Sequence, residues 1–168
     1  MKAAISVAIF AILCSPSLFA AAPANAANEP SLERLATCQD SWFDWKDDQA
    51  RATKFAENLR ANYAQKSNEA YLVPKSAKKL FGMPVEAVYP ESVGMAVGFS
   101  VVVTSGFDAT KKTIEKALGK PLQCDPHTDE MRTCQFEKGP KKTVVLMAGS
   151  DKADTKSTLV GCYYFYEK

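Results

Sequence analysis

The chain has 168 residues, with 21 Lys and Arg against 19 Asp and Glu, one histidine, a formal net charge of +2 and 46% hydrophobic residues. Acids interspersed among the lysines leave no basic face for a nucleic acid or an anionic membrane surface, and one imidazole leaves only His127 for a Ser-His-Asp arrangement. The apolar content suffices for one domain with a true core.

Residues 1–26, MKAAISVAIFAILCSPSLFAAAPANA, read as a secretory signal peptide. Lys2 supplies the positive start, Ala3 to Leu13 the apolar run, and Ala24-Asn25-Ala26 a small-x-small cleavage site. The run is too short for a membrane span. Cys14 follows Leu13, where a lipoprotein needs a small residue. The expectation is an exported, periplasmic protein whose residues 27–168 form a single disulfide-bonded domain.

From Ser31 the pattern turns helical. Leu32, Leu35, Cys38, Trp42 and Trp45 make one stripe, and Phe55, Ala56, Leu59 and Tyr63 a second after Asp47-Asp48. These predict helices over about 31–46 and 48–65. Ser76 is expected to cap a short helix that Gly82 ends. Val93 to Thr104, VGMAVGFSVVVT, predicts a strand with Val97, Phe99, Val101 and Val103 on one side and the smaller Ser100 and Val102 on the other. Asp108 is expected to cap a helix ended by Gly119 and Pro121. Strands are then expected over 121–125, 132–138, 143–148 and 158–167, with the polar GSDKADTKS loop before the last. This is an α+β order. N-terminal helices and one crossover helix are expected on one face of an antiparallel sheet of about four to five strands.

Beyond the leader there are four cysteines, Cys38, Cys124, Cys134 and Cys162. An even number in an exported chain predicts two disulfides. Of the three pairings, Cys124 with Cys134 is favoured, because they flank a polar turn; Cys38 with Cys162 then follows by exclusion. With Cys162 turned to the helices, Tyr164 and Tyr166 follow it, and Tyr163 and Phe165 are expected to face outward beside Ser100 and Val102. An aromatic open sheet face suits recognition, unless the chain's own loops cover it.

KKLFGMPV at 78–85 and EKALGKPL at 115–122 share a helix-end, Gly, x, Pro, apolar pattern and suggest an internal repeat. The segment from Asp108 to Met147, with its helix ending LGKP and its Cys-flanked hairpin, resembles the repeat unit of β-lactamase inhibitor proteins. It is also similar to the helix–LGxP–hairpin unit of small outer-membrane lipoproteins that assist β-barrel assembly. Gly106-Phe107-Asp108 stands where that pattern has Gly-Met-Thr. The resemblance implies a helix-backed sheet whose open face grips a protein.

No GxSxG, HExxH or glycine-rich phosphate loop is present, and oxidised cysteines supply no thiolate. No catalytic residue and no cofactor is therefore expected. CDPHTDEMRTC, residues 124–134, poses the sharpest question. Asp125, His127, Asp129 and Glu130 are oxygen and nitrogen ligand types. Structural zinc, however, takes Cys and His at fixed spacing, and calcium loops need a glycine turn, so no metal is expected. A disulfide-clamped loop carrying Asp125, His127, Asp129, Glu130, Met131 and Arg132 loses little entropy when a partner grips it. The expected function is protein binding, as an inhibitor or immunity protein against a cell-wall-active enzyme or a secreted toxin. The alternatives are an envelope structural or assembly factor, and a peptidoglycan or carbohydrate binder using Trp42, Trp45, Tyr163 and Phe165. The hairpin and the sheet face, with Tyr163 and Phe165, both stand as binding surfaces.

Overall fold

The computed structural model describes residues 31–40, 49–66, 69–90, 97–125, 131–148 and 156–164. Its strands are β1 (Tyr63–Gln65), β2 (Leu72–Pro74), β3 (Lys79–Leu80), β4 (Met83–Tyr89), β5 (Val97–Val103), β6 (Gln123–Cys124), β7 (Thr133–Gly139), β8 (Lys142–Ala148) and β9 (Thr158–Tyr164). The helices are α1 (Leu32–Ala36), α2 (Gln49–Asn62) and α3 (Phe107–Leu118). All strand pairs are antiparallel, in the order β1-β2-β4-β5-β9-β8-β7-β6, with β3 folded onto β4. The expected α+β layer of helices over four to five strands is overturned. A nine-stranded sheet is the framework, and helices of 5, 14 and 12 residues are additions to it.

The missing strands lie where the helical reading was strongest. α1 stops at Ala36, with Thr37 as C-cap, and Cys38 takes a positive φ of 55° that a continuing helix does not allow. The rest of that expected helix, from residue 41 with Trp42 and Trp45, lies outside the described residues. α2 runs straight into β1, because Tyr63 is drawn into a ladder with Pro74 rather than into another helical turn. The expected helix before Gly82 is instead a hairpin. Lys79 pairs with Pro84 and Leu80 with Met83, across a two-residue turn. Phe81 and Gly82 both have positive φ, 47° and 83°, as a type I′ turn requires. The suggested repeat therefore has no structural counterpart, since Gly119 ends α3 as a left-handed C-cap with φ 65°. The cap expected from Asp108 is also absent. Gly106 is the N-cap, and Asp108 sits in the first turn.

The centre of the sheet follows the alternation in the sequence more closely. β9 lies between β5 and β8, pairing Phe99 with Cys162, Val101 with Val160, Val144 with Cys162 and Leu146 with Val160. All these side chains are buried, and with Leu35, Ala36, Cys38, Phe107 and Ile114 they form one core cluster on the helix side. The Phe55 ring of α2 meets Phe99 at 6.3 Å between centroids. α1 is far too short to be stable alone. Ser31 accepts a hydrogen bond from the Arg34 amide, and the Cys38–Cys162 disulfide ties its end to the middle of β9. Two buried threonines in this layer find partners within the chain. The Thr158 hydroxyl donates to the Ser105 carbonyl at 2.8 Å, and Thr37 to Glu33 at 2.6 Å.

Candidate functional site

Strand alternation divides the sheet into two faces. One carries the core. On the other, the register aligns Tyr89, Ser100, Gly161, Val145, Gln135 and Gln123 across six strands, from β4 to β6. A neighbouring row aligns Ala87, Val102, Leu159, Met147 and Thr133. Neither row contains a charged side chain. Val102, Leu159, Val145 and Met147 are half-buried, so this is an apolar face with a polar end at Gln123 and Gln135.

At that polar end sits the stapled hairpin. The Cys124–Cys134 disulfide joins paired residues of β6 and β7, and the Asp125 amide donates to the Thr133 carbonyl at 3.0 Å. Cys134 is buried in the core while Cys124 is exposed, so the bond anchors an outer strand to the interior. Gln123, Asp125, Thr133 and Gln135 line an open depression of about 310 Å³ next to Cys124. Met131, two residues before Thr133, is 44% exposed. His127, Asp129 and Glu130 lie outside the described residues, as does Phe165.

Arg132 does not project freely from the hairpin. Its Nη2 and Nη1 donate to Asp108 Oδ1 and Oδ2 at 2.6 and 3.3 Å, and its guanidinium stacks 4.3 Å from the centroid of the Phe107 ring. The Arg132 carbonyl accepts from the Ala148 amide at 2.9 Å. The residue thus fixes the base of the hairpin against the start of α3. Arg132 holds the Asp108 carboxyl below its usual value through the hydrogen bond first and through charge second. With side chains 52% and 78% exposed, the pair is strongly screened. Its contribution is present above the ordinary carboxylate range and is lost as pH falls through the depressed value. Replacing Arg132 with Ala is expected to return the Asp108 pKa upward to the ordinary range. Carboxyl-detected NMR titration reads this directly, and an unmoved Asp108 would show the ion pair to be idle in solution.

Tyr163 differs from its expected place at the surface. It does lie on the face of Ser100, but it is only 4% exposed, its ring packed over Gly98 and Gly161. Burial raises its pKa; the Ser100 hydroxyl opposes this in part, and charge on Tyr89 adds to it. The Tyr163 hydroxyl reaches no partner in full hydrogen-bond geometry. The aromatic pair that the sequence reading missed is Tyr71 with Tyr89. Both are half-buried, with centroids 5.6 Å apart and planes tilted by 57°. Val88 opposite Leu72 sets them side by side, a pairing invisible before β2 and β4 are known to be neighbours.

Among the described residues, no three His, Cys, Asp or Glu side chains come together as metal ligands. No helix among them is long and apolar enough to cross a membrane. Two disulfides fit an oxidising environment. Compared with family models, with curated proteins and with solved structures, this chain finds no match in any of the three.

Proposed function

We propose that this protein is an exported, periplasmic, non-enzymatic binding domain that neutralises another protein, an inhibitor or immunity protein acting on a cell-wall-active enzyme or a secreted toxin. The observation that carries the reading is the hairpin at the β6 edge. A disulfide restricts its conformations, Arg132 braces its base, Gln123, Asp125, Thr133 and Gln135 line an open depression, and Met131, two residues before Thr133, is exposed. A surface ordered in advance loses less entropy on docking, and its affinity rises accordingly. Supporting features are the single histidine, cysteines committed to disulfides, and a leader-like N-terminus.

The test is purification of the protein from the periplasm of producing cells. A stoichiometric protein partner is expected. The Met131→Asp variant, and the paired Cys124→Ala, Cys134→Ala variant, are each expected to weaken its binding by about tenfold or more. Recovery as a lone monomer, with no protection against a toxin encoded beside it, would remove the reading.

A further inference from the structure

The opposite end of this face, whose centre at Ala87, Ser100, Gly161 and Tyr163 is buried, carries a different chemistry from the hairpin. Tyr71 and Tyr89 form a tilted aromatic corner, half-buried, at the β2–β4 edge of the apolar rows. Glu69 precedes Tyr71 by two residues and is exposed. Glu86 lies in the irregularity of β4 between Val85 and Ala87. That irregularity leaves Val85 packed on the core while Glu86 remains exposed, and Ser157 Oγ donates to Glu86 Oε2 at 2.8 Å. The carboxylate is thereby held in place beside the face rather than sweeping through solvent.

We propose that this corner receives a basic side chain, a Lys ammonium or an Arg guanidinium, of a protein partner lying along the half-buried Val102–Leu159–Met147 row. A Tyr π-face attracts an organic cation placed within about 6 Å of its centroid, and two such rings lie side by side here. Glu69, two residues before Tyr71, and Glu86, held by Ser157, add negative charge to the surroundings of Tyr89, and the half-buried row Val102–Leu159–Met147 gives the rest of the segment an apolar bed. The charge environment agrees. The Tyr89 phenol is raised first by burial, then by Tyr71, Glu69 and Glu86, and the two carboxylates, charged at neutral pH, disfavour a further anion here. The occupant is thus a cationic segment rather than an acidic one. The inference rests on the protein-binding reading only in taking that segment to belong to a protein; the corner's preference for a cation stands without the hairpin.

The experiment is NMR titration of the full disulfide-bonded chain with tetra-arginine and tetra-lysine amides, with a tetra-glutamate peptide as control. The basic peptides are expected to move the amides of Tyr71, Glu86, Tyr89 and Val102, and tetra-glutamate is not. Tyr89→Phe keeps the π-face and is expected to keep binding. Tyr89→Leu keeps bulk without it, and the Glu69→Gln, Glu86→Gln pair removes the charge; each is expected to weaken binding at least fivefold, with thermal melts confirming the fold. Shifts mapping elsewhere, equal binding by Tyr89→Leu and Tyr89→Phe, or equal response to tetra-glutamate would each overturn the proposal. Peptide binding that survives while no natural partner is captured would defeat the inhibitor reading and leave this one standing.

Discussion

The chain with Cys38→Ala and Cys162→Ala together is expected to be largely unfolded at about 37 °C, while Cys124→Ala with Cys134→Ala gives a folded but less stable protein. The two bonds differ in what they close. Cys38 and Cys162 are separated by 124 positions, and Cys124 and Cys134 by 10. On the chain-entropy account the first restricts the unfolded chain by about 5 kcal/mol and the second by about 2–3 kcal/mol. A domain of this size is stable by about 5–15 kcal/mol, so the first loss is a large share of the whole. It also acts in the folded state. The five-residue α1 buries Leu35 and Ala36 against β5 and β9, and without the crosslink it must order itself from the end of a free chain. Thermal unfolding followed by far-UV circular dichroism checks the ranking. A melting temperature reduced no more by the first pair than by the second would show that the docking of α1 does not depend on the bond.

The second large effect is expected at Gly161. An alanine there is expected to destabilise the fold by about 2–3 kcal/mol, the usual cost of forcing extra atoms into a well-packed site. A Cβ at this position would stand 2.6 Å from Ser100 Cβ, 3.0 Å from the Phe99 carbonyl oxygen and 3.0 Å from Tyr163 Cε2. Two of these neighbours belong to the paired strand β5, so relief requires the β5–β9 ladder itself to move. Gly98, opposite Tyr163, is crowded in the same way by the Cys162 carbonyl oxygen. The two glycines form the bare floor on which the Tyr163 ring lies. Urea unfolding of Gly161→Ala decides the matter: an unchanged midpoint would mean that the ring has room to lift, and that the face is looser than its burial indicates.

These expectations show where local pattern sufficed and where it failed. α3 was readable because Ile114, Ala117 and Leu118 share one stripe and Gly119 stands where a left-handed C-cap is required. β5, β8 and β9 were readable because each is seven residues long and rich in apolar positions, and β7, with Cys134 and Phe136 alternating among polar residues, because it carries the second hairpin cysteine. β1, β2 and β3 have three, three and two residues, too few for any periodicity to appear. β4 carries Pro84 near its start, which argues against a strand. It is tolerated because the two-residue β3 begins opposite it, at Lys79, and the Pro84 carbonyl still accepts from the Thr104 amide at 2.9 Å.

The site divides in the same manner. Asp125, Met131 and Arg132 were singled out as candidates, and the pairing of the two hairpin cysteines was legible, from a short segment whose own ends explain it. The engagement of Arg132 with Asp108 and Phe107 was not, since α3 and the hairpin base meet only in three dimensions. Tyr71 and Tyr89 looked like scattered aromatics until β2 and β4 became neighbours.

By itself, then, the sequence determined the stapled loop, the long alternating strands and the one well-formed helix between them, because each depends on contacts within a few residues. Tertiary structure alone decided the number of strands, the burial of Tyr163 and the aromatic corner. A two- or three-residue strand has no stability apart from its neighbours, and whether a tyrosine is covered depends on the glycine that a distant strand places beneath it.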